Sequence, residues 1–155
     1  MTNTQELKRS LMLKFASDPE LFSLIGNSNA SVEYPDDLIF ENIFPFLKVD
    51  YTETQAGNYI GIGINYPVVK KKSMFKNAQI RILIICNNET LRIGKSSYTR
   101  TDKMGQRIID LLNGDNSLGF PLELYSDNEG IHGSRFYYRE LVFQNTAVNI
   151  PMNCE

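Results

Sequence analysis

The sequence predicts an α+β fold: a mostly antiparallel sheet with a long central β-hairpin, and helices packed on one face. Three observations predict it. Tyr59-Ile60-Gly61-Ile62-Gly63-Ile64 alternates isoleucine with another residue, and a period of two is the mark of a strand, whose successive side chains point to opposite faces. Gln79-Ile80-Arg81-Ile82-Leu83-Ile84-Ile85-Cys86 follows beyond a basic stretch, and its middle is apolar on both faces, as suits a central strand covered on both sides. Elsewhere apolar residues recur at helical spacing, while the other strand-like runs come as sequence neighbours, which favours antiparallel pairing.

The elements follow in chain order. Leu7, Leu11 and Phe15, widened by Met12 and Leu13, make an amphipathic helix, opened by an Asn3-x-x-Glu6 cap. Asp18-Pro19-Glu20 starts a second, short helix with a capping Asp, Pro at the first helical position and an acid in the first turn; Gly26 ends it. Residues 27–42 form a long turn-rich connection, of the kind that tends to be functional or mobile. Ile43-Phe44-Pro45-Phe46-Leu47 is apolar, but Pro45 has no N–H to give, so this run belongs at a sheet edge or outside the ladder. Residues 52–58 make a polar turn into the hairpin. After it, residues 87–89 turn and Leu91-Arg92-Ile93 extends the strand.

Asp102 caps the next helix, Met104, Ile108, Leu111 and Leu112 share its apolar face, and Gly114 stops it. Gly105 costs about 1 kcal/mol there against alanine, so it sits either in the first turn or where another backbone comes close. Leu122 and Leu124 alternate with Glu123 and Tyr125 in a strand, Asp127-Asn128-Glu129-Gly130 reads as a turn, and Tyr137, Leu141 and Phe143 share a face of the last strand, with Arg139 between them. Residues 145–155 read as a loose C-terminal tail. With 155 residues and no internal repeat, a single domain spanning 1–155 is expected.

Composition excludes more than it assigns. Apolar residues make up 42% and charged residues 22%, ordinary for a globular chain, and a net charge of −2 gives no global basic field for nucleic acid. The N-terminal stretch is too polar for a signal peptide and no apolar run reaches membrane-spanning length, so the expected setting is a cytoplasm or something assembled there. Two cysteines, Cys86 and Cys154, make no disulfide framework, although a bridge between them stays open.

No catalytic, metal or cofactor constellation stands out. His132 is the one histidine, flanked by glycines in an expected turn, with no cysteine near it in sequence. A Cys86–His132 nucleophile pair stays conceivable, but a thiol in an apolar run is usually inert. Gly61-Ile62-Gly63 lacks the third glycine and the following helix of a phosphate loop; alternating glycines instead leave one strand face flat, for a helix or a neighbouring subunit to approach. Asp36-Asp37 is turn chemistry, and Asp18 with Glu20 is helix capping. The strong charge run is Lys70-Lys71-Lys72, with Lys76 nearby. As a solvated hairpin tip it needs no function, but Met74 and Phe75 beside it suggest a docking arm, because exposed Met and Phe usually mark a partner surface. An acidic protein surface suits it as well as phosphate does, since no aromatics interleave with the lysines.

In layout, residues 5–143 resemble the tail-terminator, or tail-completion, family of tailed bacteriophages and phage-tail-like particles. The features that carry the resemblance are the N-terminal helix through Leu7 and Phe15, the strand pair with its protruding tip, the helix Thr101-Asp102-Lys103-Met104-Gly105-Gln106-Arg107-Ile108-Ile109-Asp110-Leu111-Leu112-Asn113, and the closing Phe136-Tyr137-Tyr138-Arg139-Glu140-Leu141-Val142-Phe143. The second short helix and the 27–42 connection depart from it. The resemblance implies a virion structural protein without enzymatic activity or cofactor, assembled in the host cytoplasm. It would form a homo-oligomeric ring of six subunits that caps the tail tube and joins it to the neck and head. Its partners would be itself, the tail tube protein, and a head-completion or connector protein or sheath; DNA would only pass through the lumen, and no membrane would be involved. Lys70, Lys71, Lys72, Met74 and Phe75 would be the arm that reaches a neighbouring subunit or the tube. The alternative is a small adaptor that sets the same basic tip on nucleic acid or an acidic partner.

Overall fold

The computed structural model describes residues 4–31, 33–47, 57–65, 78–115 and 121–145. Five strands form one sheet: β1 (Ile43–Phe44), β2 (Asn58–Asn65), β3 (Gln79–Asn87), β4 (Leu122–His132) and β5 (Phe136–Asn145), in the order β1-β2-β3-β5-β4. Three helices, α1 (Thr4–Ser17), α2 (Pro19–Ile25) and α3 (Arg100–Leu112), pack on one face, with α1 over β1 and β2 and α3 over β3 and β5. Every pairing is antiparallel except β1 with β2, which is parallel.

The hairpin forms as the alternation dictates. Ile60 pairs with Ile84, Ile62 with Ile82 and Ile64 with Ile80, so β-branched side chains meet across the strands on the helix face. Leu141 and Phe143 of β5 continue that layer, and Leu11 and Phe15 of α1 with Met104 and Ile108 of α3 close over it, all of them fully buried. Truncating such an isoleucine to alanine costs about 2–5 kcal/mol in cores of this kind. On the opposite face, the space left by Gly63 is taken by Leu47, whose Cγ lies 3.1 Å from where a Cβ would stand. At Gly63 the flat surface is thus used by a side chain arriving from beyond β1.

The helix boundaries follow capping chemistry. Asp18 is extended and its Oδ2 accepts from Leu21 N at 3.0 Å, Pro19 opens α2, and Gly26 ends it with φ 69°. For α3 the expected cap moves back by three residues. Thr99 is the cap and Asp102 stands at the third helical position, each accepting from the other's backbone N–H in a capping box. The Thr-x-x-Asp pair outcompetes a lone Asp because it satisfies two end groups at once. Gly114, at φ 80°, stops the helix as expected.

Other segments gain detail, and several expectations are corrected. The 27–42 connection is held by side chains: Asn42 donates to Asn58 O at 2.9 Å, Asn58 donates to Ile25 O at 3.0 Å, and Asn27 donates to Asn42 Oδ1 at 2.8 Å. A 3₁₀ turn, Pro35–Leu38, lies within it. Leu13 faces outward rather than widening the apolar stripe of α1. Residues 91–93 do not prolong β3; Arg92 makes only a single bridge, to Thr99. Asp127-Asn128-Glu129-Gly130 is not a turn but the middle of β4, and the chain reverses at 133–135, where Gly133 takes φ 65°. The Asn3 cap, the 52–56 segment and residues 146–155 with Cys154 lie outside the described residues.

Candidate interaction surface

The strand read as a turn carries a well-connected polar group. A bulge at Tyr125 sets two residues of β4, Leu124 and Tyr125, against Phe143 of β5. The extra residue shifts the phase of the strand, so Leu122 and Leu124 before it share the helix face with Asp127, Glu129 and Ile131 after it. Arg139 of β5 lies on that face too. Its Nε donates to Asp127 Oδ1 at 2.7 Å, its Nη2 to Asp127 Oδ2 at 2.8 Å, and its Nη1 to Asp102 Oδ1 of α3 at 2.6 Å, with Glu129 Oε2 at 4.0 Å. The fork matches the carboxylate of Asp127 in a bidentate pair, and that hydrogen bonding raises the guanidinium pKa. Three carboxylates around one guanidinium leave the patch with a formal charge of −2.

A second arginine sits one groove away. Arg107 Nη2 and Nε donate to the two oxygens of Asp18 at 2.6 and 3.0 Å, and Nε lies 3.3 Å from Glu20. The Arg107 guanidinium holds the Asp18 carboxyl below the ordinary aspartate range, more than burial raises it. The groove along α3, about 560 Å³, is lined by Glu20, Asp102, Lys103, Asp110 and the two arginines, together with Tyr98 and Gln106.

The two edges of the sheet are unlike. β1 is two residues long, and Phe40 N donates to Ile43 O at 2.8 Å across its end. Aromatic rings cluster there: Phe44 meets Phe40 edge-on at 6.4 Å and lies 5.5 Å from Phe46 and 6.3 Å from Tyr59. Phe40 takes φ 64°, costly for a side chain with a Cβ, while remaining 59% exposed. β4, at the other edge, is eleven residues long. Its first part is covered: Gly114 N donates to Leu122 O at 2.7 Å, Leu122 N to Asp115 O at 3.2 Å, and Leu124 N to Asn113 Oδ1 at 2.8 Å. Beyond the bulge the ladder alternation turns the N–H and C=O of Asp127, Glu129 and Ile131 outward, and no described residue meets them.

The residues singled out in the sequence fall as follows. Lys70, Lys71, Lys72, Met74 and Phe75, with Lys76, lie outside the described residues. Cys86 is buried on β3 with its Sγ 3.8 Å from Met104 Sδ, and burial pushes its thiol up to about 12. His132 ends β4 rather than sitting in the turn, and its backbone pairs with Phe136 while that of Cys86 pairs with Tyr137 on the far side of β5. Asp36 and Asp37 lie exposed in the 3₁₀ turn. Among the described residues, no group of three His, Cys, Asp or Glu is placed to hold a metal ion, and no helix is long and apolar enough to cross a membrane. Sequence reasoning missed Arg139 and Arg107 as organising residues. Once the bulge is placed, Asp127 and Glu129 fall two apart in a strand opposite Arg139, and that spacing was the available signal.

The fold and surface define an α+β protein whose sheet ends in one short, aromatic edge and one long, open edge. The model of the YomW family matches residues 17–145, and the chain belongs to that phage-derived family. No curated protein and no solved structure matches it.

Proposed function

We propose that the protein is a non-enzymatic structural component of a phage or phage-tail-like particle, and that its subunits form a ring capping the tail tube at the neck. Membership of a phage-derived family supports the setting. The observation that carries the assembly reading is the open outer edge of β4, where no described residue meets the N–H and C=O groups of Asp127, Glu129 and Ile131. Where that edge takes a different surface of a second copy the contact is head-to-tail, and such a contact builds a ring when its rotation closes and an open filament when it does not, whereas a self-complementary edge would stop at a dimer.

Native mass over a concentration series, with negative-stain images of the same samples, tests this reading. Closed rings, six subunits by the resemblance, are the expected result. A monomer at every concentration that binds DNA, with affinity falling steeply as salt rises, would overturn the ring and establish the adaptor.

A further inference from the structure

The open part of β4 is a site with definite chemistry. Asp127, Glu129 and Ile131 present alternate N–H and C=O groups along an edge, which is a template for one more extended strand. The chain there is acidic, with three carboxylates around Arg139 and the Glu129 side chain 70% exposed. Beside the edge opens a hollow of about 300 Å³, lined by Leu91, Thr99, Ile131 and Tyr137 among others. Ile131 at its rim is 64% exposed. The site therefore asks for an extended segment that is basic and carries a large apolar side chain.

Residues 66–77 of this chain have that composition: four lysines, no acidic residue, and Met74-Phe75 beside the lysines. We infer that the outer edge of β4 at Asp127, Glu129 and Ile131 is the acceptor for residues 66–77 of a second copy. The inference rests on the ring reading and names the contact that builds the ring. Strand pairing sets the register, the acidic patch draws in the lysines, and the hollow takes Met74 or Phe75. Donor and acceptor are different parts of one chain, so each subunit gives an arm to one neighbour and receives one from the other.

Disulfide trapping between mixed populations tests it on the full chain. In a Cys154→Ser background, Ile131→Cys molecules are mixed with Met74→Cys molecules and oxidised, with Leu13→Cys in place of Ile131→Cys as the control. A covalent dimer that forms only from the Ile131→Cys and Met74→Cys mixture is the expected result. A parallel variant, Ile131→Pro, removes an outward N–H without touching the β5 ladder. It is expected to weaken assembly about tenfold while leaving the melting temperature close to that of the parent. Rings that form without the cross-link, or that form normally from Ile131→Pro, overturn the assigned contact and leave the ring reading standing. Monomers at all concentrations with no cross-link overturn both.

Discussion

Gly105 of α3 stands directly over Arg139 of β5: a Cβ at position 105 would lie 2.8 Å from Arg139 Cδ and 3.2 Å from its Nε. Gly105 is therefore in neither the first turn nor a backbone crossing, but at a close approach to a side chain. That side chain is held at its far end by Asp127 and Asp102 and cannot simply swing aside. Gly105→Ala is expected to lower stability by about 1–3 kcal/mol, as overpacking does, reversing the gain of about 1 kcal/mol that alanine brings to an open helix. Urea unfolding measures it. An alanine variant more stable than the parent would show that Arg139 is not fixed by its carboxylates.

Asp18→Asn separates capping from charge. Asparagine keeps an oxygen for Leu21 N, so the cap is retained, while the charge facing Arg107 is lost. The folded carboxyl titrates below its ordinary value of 3.8 because Arg107 hydrogen-bonds to it. Its contribution is thus present above about pH 4, where the unfolded aspartate is also ionised, and is lost as pH falls through the lower folded value. Stability of parent and variant against pH should differ by a constant amount at neutral pH and converge below that range. A gap that persists at the acid end would mean that the variant disturbs the cap instead.

Cys86 should be silent to thiol reagents until the fold opens. Its thiol is raised to about 12 by burial, so almost no thiolate exists at pH 8 for a reagent to meet. In a Cys154→Ser chain, a chromogenic disulfide is expected to release no colour from native protein and one equivalent in denaturant. The same shift works on stability: the unfolded thiol ionises from its ordinary 9.0 upward and the folded one does not, so stability falls as pH rises between those values. Rapid native labelling would show that β3 opens locally.

If the proposed arm makes contacts between copies and adds little to the core, Lys70, Lys71 and Lys72 changed together to Ser should weaken assembly while the melting temperature hardly moves. Thermal melts and native mass on one preparation read both quantities. A variant that melts far lower yet assembles normally would make the tip part of the fold.

Much of the architecture was legible because it follows from local rules. Alternating isoleucines made β2, Asp18-Pro19 and Gly26 bounded α2, and the spacing from Met104 to Leu112 placed the buried face of α3. The misreadings came where a distant residue overrode the local signal. Asp127 to Gly130 has the composition of a turn, but Arg139 holds two of its side chains on one face, and the Tyr125 bulge conceals the alternation that would have said so. Gly105 reads as a helix defect until Arg139 is placed beneath it. β1 pairs in parallel because the asparagine contacts of the 27–42 connection bring it to the edge of β2, and no period in the sequence encodes that. Of the proposed contact, the acceptor side is a backbone edge, to which side-chain identity is nearly blind.

The strand order also sets a timetable for synthesis. β3 pairs with β5 and not with β4, so the last strand of the sheet slots between two that are made before it. At about 5–20 residues per second, β3 leaves the ribosome roughly 3–10 s before β5 arrives. During that interval the edge of β3 bearing Ile80, Ile82 and Ile84 has no partner, and β4 has nothing to join. A chain released before residue 136 therefore loses more than its final strand: the two halves of the sheet are left unconnected, and the most apolar strand of the molecule is open to aggregation.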